Sequence, residues 1–381
     1  MLLGLLVIVV VLVLAGVFSF SRLPTIAPDL ARRPGPAVEL QGEHGPLSEA
    51  RSKSILDELE KRGQPTGIFD RHLALEEAIV GSPLTIGNKV LLLKDGPATY
   101  QAMFAAILAA RDHINMETYI LEDDEVGQKF AQALIDKQVQ GVQVNLIYDS
   151  VGTLGTPAAF FERLTDSGIE VLEFNPVDPL APSKEWEVNQ RDHRKLLIVD
   201  GRTAFLGGIN ISAVYSGGSF SKGSDKSVSP EDKLAWRDTD LQLSGPVVAE
   251  LQKLFLETWK GQEGPELQEK VYFPKLGKTG KEVVRAIGST PDESFSLIYA
   301  TLLSAIASAE TSVYITNAYF VPDPQLLAAL EASAGRGVDV TLILPSVTDS
   351  WLVFHAGRGY YDRLLRAGVR IYERKGALLH S

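Results

Sequence analysis

The amino-acid sequence predicts an α/β fold made of two similar lobes. Helical and strand-like apolar patterns alternate between residues 103 and 174, and the same order returns between residues 302 and 372. Apolar residues make up 45% of the 381-residue chain and charged residues 22%, which is enough to bury a core and excludes a disordered protein. We therefore expect one folding unit that occurs twice along the chain.

Each lobe is predicted to run helix, strand, helix, strand, helix, strand. The ranges are 103–111, 113–121, 125–140, 142–148, 160–167 and 169–174 in the first lobe, and 302–310, 312–321, 324–336, 338–344, 360–367 and 369–372 in the second. Gly141 and Gly168 each precede a strand of the first lobe. Their counterparts Gly337 and Gly368 follow 196 and 200 residues later. One such match is common in α/β proteins, so it is the two matches in order that favour duplication.

The N-terminus is predicted to be a transmembrane anchor at residues 1–21. Its first 20 residues carry no charge, and a helix of that length spans about 30 Å, the thickness of a bilayer core. The alternative, a cleaved signal peptide, requires a basic start and a shorter apolar centre. Arg22, Arg32 and Arg33 follow the span, which favours a single pass through the plasma (inner) membrane with the catalytic part in the cytoplasm.

The rest of the chain is predicted to divide into three parts. Residues 22–53 form a Pro-rich tether, residues 54–265 the first lobe and residues 266–381 the second. The chain carries 37 basic and 48 acidic residues, a net charge of −11, without a basic stripe, so nucleic acid is not an expected partner. Cysteine is absent, which excludes disulfides, thiolate metal sites and a cysteine nucleophile.

The candidate chemistry centres on a predicted hairpin that turns at Asp200-Gly201. His193 and Lys195 are two residues apart at its start, so they project from the same face. Together with Asn210 they suit a phosphoryl group. The imidazole can attack phosphorus or donate a proton, the ammonium can neutralise the nonbridging oxygens, and the amide can add a hydrogen bond.

Two glycines end the hairpin, and an aspartate forms its turn. Gly207 and Gly208 either close the hairpin or let the backbone approach a phosphate closely. Asp200 precedes a glycine, as tight turns prefer, and its parity faces away from His193. The residues themselves therefore favour a structural role for Asp200.

The pattern His193-x-Lys195-(x)4-Asp200-(x)6-Gly207-Gly208-x-Asn210 resembles the HKD signature of the phospholipase D superfamily. The double glycine, together with Glu117-Thr-Tyr-Ile120 and Trp236-Arg-Asp-Thr239, resembles the bacterial cardiolipin synthase branch. The similarity extends from about residue 85 onward. It implies a phospholipase D-like two-lobed α-β-α sandwich with pseudo-twofold duplicated lobes, and it places Asp200 among the catalytic motif residues.

The resemblance implies a covalent mechanism with one HKD motif from each lobe. One histidine attacks phosphorus to form a phosphohistidine, and the other protonates the leaving alcohol and then deprotonates the acceptor. Lysines and asparagines hold the nonbridging oxygens, so neither a metal nor another cofactor is implied. In the synthase branch the phosphatidyl group of one phosphatidylglycerol passes to the hydroxyl of another, and glycerol is released. Membrane phospholipids are therefore the expected partners.

The resemblance also implies residue roles. His380 corresponds to His193 in the second lobe, and we assign His193 as nucleophile and His380 as acid/base, with the reverse assignment open. Asp238 is a candidate to bind the second nitrogen of His193, and Glu117 is a supporting residue. The superfamily's second motif would continue with lysine and aspartate beyond Ser381. We therefore expect the second lobe to be incomplete and the 381-residue form to be inactive or severely impaired, unless two chains pair their first lobes as a homodimer.

Two other functions stay open at this point. One is a phospholipase D-type phosphodiesterase that hydrolyses lipid or, less in keeping with the charge and the apolar N-terminus, DNA. The other is an inactive, membrane-bound remnant that binds lipid. The sequence does not distinguish transfer to an alcohol from transfer to water, because both depend on water exclusion and pocket shape.

Overall fold

Two β-sheets organise the part of the chain that the computed structural model describes. The described residues are 38, 40–42, 45–62, 73, 76–77, 80–176, 190–216, 235–290 and 296–381. Within them, ten strands form one mixed sheet and three strands form a second, parallel sheet. Helices cover these sheets, so the fold is mixed α/β, as the sequence predicts.

The larger sheet combines a parallel part with an antiparallel part. Its strands are β1 (Leu40–Gly42), β2 (Gly45–Pro46), β3 (Leu84–Lys94), β4 (His113–Thr118), β5 (Gln143–Asp149), β6 (Glu170–Phe174), β7 (Leu196–Val199), β8 (Thr203–Gly207), β9 (Thr239–Ser244) and β10 (Glu282–Val284). The order is β2-β1-β3-β9-β8-β7-β4-β5-β6, and β10 pairs with β3. Strands β4, β5 and β6 are parallel, whereas β7, β8 and β9 pair antiparallel with their neighbours. The predicted hairpin corresponds to β7 and β8.

Helices pack on both faces of this sheet. They are α2 (Asp95–Ala109), α3 (Glu125–Val139), α4 (Ala158–Asp166) and α5 (Val247–Gly261), and α1 (Glu49–Arg62) lies between β2 and β3 in the chain. Strand β7 shows the two faces by alternation: Leu197 joins the core under α2, α3 and α4, whereas Leu196 and Ile198 join the core under α5. Burial on both faces explains why this strand is an unbroken apolar run.

The second sheet repeats the parallel part of the first. Its elements are α6 (Leu297–Ser308), β11 (Ser312–Thr316), α7 (Pro324–Gly335), β12 (Asp339–Pro345), α8 (Trp351–Arg358), α9 (Tyr361–Arg366) and β13 (Arg370–Arg374). Strands β11, β12 and β13 pair in parallel, as β4, β5 and β6 do. Asp124 caps α3 and Asp323 caps α7, each by accepting hydrogen bonds from two backbone amides of its helix.

The four glycines on which the prediction of duplication rests adopt the same backbone conformation. Gly141, Gly168, Gly337 and Gly368 have φ angles of 86°, 84°, 89° and 94°. After each of them, the next amide donates to a carbonyl five residues earlier, as from Val142 to Lys137 at 3.1 Å. Each helix thus ends at a residue in the left-handed conformation, which glycine adopts at little cost. The chain then turns directly into the next strand.

The prediction of an unstructured tether does not hold for its last part. Residues 40–42 form β1, which runs parallel to β3, and α1 begins at Glu49 rather than near residue 54. Leu40 is fully buried, and its amide donates to the Ser52 hydroxyl. A three-residue strand is too short to show an alternation of apolar and polar residues, so the prolines of residues 22–53 determined the prediction. Strand β10 also belongs to the larger sheet although it follows residue 265.

The predicted anchor at residues 1–21 lies outside the described residues. Within the part of the chain that is described, no helix is both long and apolar enough to cross a bilayer.

Candidate active site

His193 and Lys195 lie immediately before β7, where the chain enters the sheet. Lys195 Nζ is 3.2 Å from Nδ1 of His193 and donates to the His193 carbonyl at 2.7 Å. The ammonium also lies 5.1 Å from the ring centroid of Tyr119, whose ring packs on His193 with centroids 4.2 Å apart. The two residues are therefore direct neighbours, as their spacing predicts.

Burial shifts the pKa of both residues downward. Burial, followed by the charges of Lys195 and His380, lowers the pKa of His193 to about 4, although Asp192 opposes the shift. Burial lowers the pKa of Lys195 to about 8, against the opposing charges of neighbouring aspartates. At neutral pH His193 is therefore a neutral imidazole beside a cation.

His380 reaches the same place from the second lobe by pairing with the first. The Arg237 amide donates to the Leu378 carbonyl at 2.9 Å, and the His380 amide donates to the Arg237 carbonyl at 2.8 Å. This short parallel bridge sets His380 Nδ1 2.7 Å from Asp238 Oδ2. Two ring neighbours, Trp236 and Tyr319, flank the imidazole at 5.4 and 5.8 Å between centroids.

The predicted partner of Asp238 is therefore wrong. The sequence prediction assigned this carboxylate to His193, but it hydrogen-bonds His380 instead. The reason is the bridge between the lobes, which aligns residue 238 with the strand-like end of the second lobe. No sequence periodicity relates two segments that are 142 residues apart.

One cavity of about 380 Å³ joins these groups. Its lining residues are His193, Lys195, Gly207, Gly208, Asn317, Ala318, Tyr319, His380 and Ser381. The structure thus brings together five of the residues singled out from the sequence. It adds Asn317 and Tyr319, which the sequence prediction missed.

One of the missed residues, Tyr319, had a signal in the repeat. Tyr119 follows β4 by one residue and packs on His193, whereas Tyr319 follows β11 and packs on His380. These tyrosines are 200 residues apart, the same interval that relates Gly168 to Gly368. Each lobe therefore supplies an aromatic ring to its own histidine.

The two glycines make room for carboxylates. A Cβ at Gly208 would lie 2.6 Å from Asp238 Oδ2, and a Cβ at Gly207 would lie 2.6 Å from the Cα of Asp240. Both glycines line the cavity, so close approach to a phosphate remains compatible with them. The buried Asp240, a further residue that the sequence prediction missed, lies near Lys195, and burial raises its pKa to about 8.

Asn210 lies beneath the cavity rather than in its lining. Its Oδ1 accepts from the Ile120 amide at 3.1 Å, and its Nδ2 donates to the Tyr215 hydroxyl at 3.1 Å. That hydroxyl is 3.4 Å from His380 Nδ1. Asn210 therefore supports the residues around His380, whereas the sequence prediction had it binding a phosphate.

Asp200 lies at the far end of β7, about 16 Å along the strand from Lys195. Its carboxylate accepts hydrogen bonds from the amides of Arg111, Asp112 and His113 at 2.8 to 3.2 Å. It has a φ angle of 51°, as aspartate tolerates in a tight turn. Asp200 fixes the hairpin to the start of β4, which agrees with the structural role and not with the catalytic one.

Glu117 belongs to a buried cluster beneath His193. It lies on β4 with 1% of its surface exposed, and Oε1 is 3.4 Å from Arg194 Nη1. Burial and the neighbouring carboxylate of Asp192 raise the pKa of Glu117 well above its ordinary value, while Arg194 opposes the shift. Glu117 contacts the chain on either side of His193 without lining the cavity. Among the described residues, no group of three or more His, Asp and Glu side chains is arranged to hold a metal ion.

The imidazoles of His193 and His380, one from each lobe, thus line one cavity. His193 lies beside the ammonium of Lys195, and His380 is hydrogen-bonded to the carboxylate of Asp238. Together with the repeated β-α-β units, this arrangement defines a phospholipase D-like protein. The family described as "Cardiolipin synthase, PLD-like domain" matches residues 103–217 and 302–381, half of the chain. The chain belongs to this family.

Curated relatives carry the same description. A cardiolipin synthase of Geobacillus thermodenitrificans is 36% identical over 301 residues, which cover 78% of this chain and 57% of the relative. Cardiolipin synthase A of Pseudomonas entomophila is 36% identical over 305 residues, which cover 78% of this chain and 59% of the relative. The chain thus spans less than two thirds of these relatives. A solved phosphatidylserine synthase of Haemophilus influenzae is 14% identical with a TM-score of 0.49, over 80% of this chain and 78% of that one.

Proposed function

We propose that this chain carries the catalytic residues of a cardiolipin synthase-like phosphatidyltransferase. The reaction moves the phosphatidyl group of one phosphatidylglycerol to a hydroxyl of another and releases glycerol. The observation that carries the proposal is the cavity shared by His193, Lys195 and His380. It offers a neutral base, a cation and an imidazole on a carboxylate within reach of one phosphodiester.

In the first step a nitrogen of His193 attacks phosphorus, and the bond from phosphorus to the glycerol oxygen breaks. His380 gives its proton to that oxygen, so glycerol leaves as a neutral alcohol. The carboxylate of Asp238, 2.7 Å away, supports this role because it stabilises the protonated imidazole. Lys195 neutralises the nonbridging oxygens of phosphorus while charge builds up on them.

In the second step His380 acts as a base. It takes the proton of the acceptor hydroxyl, the oxygen attacks phosphorus, and the bond between phosphorus and His193 breaks. Two phosphatidylglycerols thereby yield cardiolipin and glycerol, and both histidines return to their starting protonation states.

His193 must present a lone pair to phosphorus. Its low pKa keeps the imidazole neutral, and the Lys195 contact at 3.2 Å occupies Nδ1 as the acceptor, with the ring hydrogen on Nε2. The oxygens of a bound diester compete for the ammonium, because a charged acceptor binds it more strongly. Once Lys195 turns to them, the lone pair of Nδ1 is free to attack phosphorus.

The proposal extends to the setting of the enzyme. Residues 1–21 act as a single membrane span that holds the catalytic part at the cytoplasmic face of the plasma membrane, where its phospholipid partners lie. The two sheets derive from duplicated lobes of the α-β-α type, each contributing one catalytic histidine. The matched glycines and helix caps support this duplication.

The test uses the purified protein, in a form that also carries the lysine and aspartate of the second motif, with phosphatidylglycerol in mixed micelles. We expect cardiolipin and glycerol in equal amounts by mass spectrometry, and loss of both products in His193→Ala and His380→Ala. His355→Ala is the matched control, because His355 lies on α8 outside the cavity. Phosphatidic acid without cardiolipin would show a hydrolase instead, and DNA cleavage without any lipid product would overturn the proposal.

A second substrate separates the two histidines. A p-nitrophenyl phosphodiester has a leaving group that departs without protonation, so the acid is not needed in the first step. We expect His380→Ala to release one equivalent of nitrophenol in a burst and to accumulate an acid-labile phosphohistidine. His193→Ala should give neither. A burst in His193→Ala and none in His380→Ala would reverse the assigned roles.

A further inference from the structure

A second cavity of about 780 Å³ adjoins the first. It lies between α5, the β7–β8 hairpin, residues 285–290 that follow β10, and the start of α6. Its apolar lining consists of Phe174, Leu196, Leu206, Leu251, Leu254, Ala286, Ile287 and Ile298. The mechanism proposed above uses none of these side chains.

His193 lines both cavities. The smaller cavity is also lined by Lys195 and His380. The surface of the larger cavity is mostly apolar. A molecule whose phosphorus reaches His193 can therefore extend an apolar part into the larger cavity without leaving the protein.

Five charged residues line the larger cavity: Arg191, Asp192 and Arg194 lie within two residues of His193, whereas Glu257 and Arg285 line it farther along the chain. Arg191 and Arg194 flank this histidine in the chain, and both are held in place. Arg194 donates to Thr258 Oγ1 at 2.5 Å and to the Ser289 carbonyl at 2.9 Å, and Arg191 donates to Ser150 Oγ at 2.8 Å. The three arginines of the lining outnumber Asp192 and Glu257, and most of the remaining surface is apolar, which suits an anionic headgroup joined to hydrocarbon.

We propose that the larger cavity binds the acyl region of the phospholipid donor. The inference rests on the proposed function, because it takes the phosphodiester at His193 as the group that is transferred. The hydrocarbon gains free energy for every methylene that it removes from water, so occupation of the cavity makes binding depend on acyl length. The cavity thereby selects a lipid over a water-soluble diester of the same headgroup.

The experiment measures affinity against acyl length. His193→Ala blocks turnover, so its dissociation constants for short-chain phosphatidylglycerols can be measured below their aggregation concentrations. We expect binding to tighten about fourfold for each added methylene until the cavity is filled. Two further variants are made in the His193→Ala protein. Ile298→Glu places a charge in the cavity and Ile298→Trp fills it, so both should weaken the dependence of affinity on acyl length.

Ile298 is a suitable position because it is 52% exposed, so that its replacement does not disrupt a core. The control is Leu108→Glu, which changes an exposed leucine on α2 outside the cavity and should retain the full dependence. A parent dependence near zero, or a full dependence in both Ile298 variants, would overturn the proposal. Loss of thermal stability in Ile298→Glu without any acyl dependence would also overturn it, since a protein segment would then fill the cavity.

Failure of the proposed function has a different signature. Turnover of glycerophosphoglycerol, which has no acyl chains, reports the chemistry without the larger cavity. If the wild-type protein transfers or hydrolyses no diester and yet His193→Ala shows the acyl dependence, the phosphatidyltransferase is refuted and the lipid site stands. If diesters turn over without acyl dependence, the reverse holds.

Discussion

Replacement of Gly208 by alanine should disable the acid/base without touching either histidine. The new Cβ would lie 2.6 Å from Asp238 Oδ2 and 2.7 Å from its Cγ. An ordinary contact needs about 3.4 Å, so the carboxylate must retreat by about 1 Å. The hydrogen bond of 2.7 Å to His380 Nδ1 is then lost, because a displacement of about 1 Å takes the two atoms beyond hydrogen-bonding distance.

The size of the effect follows from the bond that is lost. A hydrogen bond to a charged group contributes about 1.5–3 kcal/mol, which corresponds to roughly a 10- to 150-fold loss in kcat/KM for phosphatidyl transfer. Asp238→Asn, which keeps the shape of the side chain but not its charge, should lose a similar factor. In the double variant the two losses should not add, because both remove the same interaction.

The assay is steady-state cardiolipin formation, with thermal unfolding measured in parallel. Gly155→Ala is the matched control, since a Cβ there meets no atom within 4 Å. The reasoning is refuted if Gly208→Ala folds normally and keeps wild-type kcat/KM, or if its loss adds in full to that of Asp238→Asn.

Three further predictions concern stability. Asp200→Ala should lower the free energy of unfolding by about 1–3 kcal/mol, because the amides of residues 111–113 lose their hydrogen-bond acceptor. The kcat of the folded protein should stay the same. A fall in kcat without a fall in stability would show that Asp200 is catalytic. The stability of Asp240→Asn relative to wild type should rise by up to about 1.4 kcal/mol per pH unit between about pH 4 and pH 8 and level off above pH 8. The reason is that the folded wild-type protein retains the Asp240 proton in that range, whereas the unfolded protein does not. A stability difference that is independent of pH in urea titrations would contradict this. Leu330→Ala should cost about 2–5 kcal/mol in urea denaturation because Leu330 is fully buried, whereas the exposed Leu352→Ala should change stability by less than about 0.5 kcal/mol, and equal effects would contradict the described core.

The elements that the sequence predicts well are those with local causes. The helix endings at Gly141 and Gly337 are visible because only glycine adopts their left-handed conformation at little cost. The hairpin is visible because Asp200-Gly201 separates two apolar runs. In the same way, His193 and Lys195 could be paired from their spacing alone.

The relationships that it predicts poorly are long-range. Strand β1 has three residues, so its pairing with β3 depends on the burial of Leu40 and not on any pattern. Asp238 was matched with the wrong histidine because the register of the bridge at Leu379 decides its partner. The raised pKa of Asp240 is equally invisible, since it arises from desolvation in a place that only the folded chain creates.

The bridge between Arg237 and Leu379 makes catalysis a reporter of lobe association. The two amides that form it fix His380 on Asp238, so in the proposed mechanism the opening of this contact would separate the acid/base from the nucleophile without unfolding either sheet. Activity then scales with the fraction of molecules in which the lobes are closed. A substitution far from any reacting atom can therefore lower the turnover number solely by shifting that fraction, while every closed molecule works at the full rate.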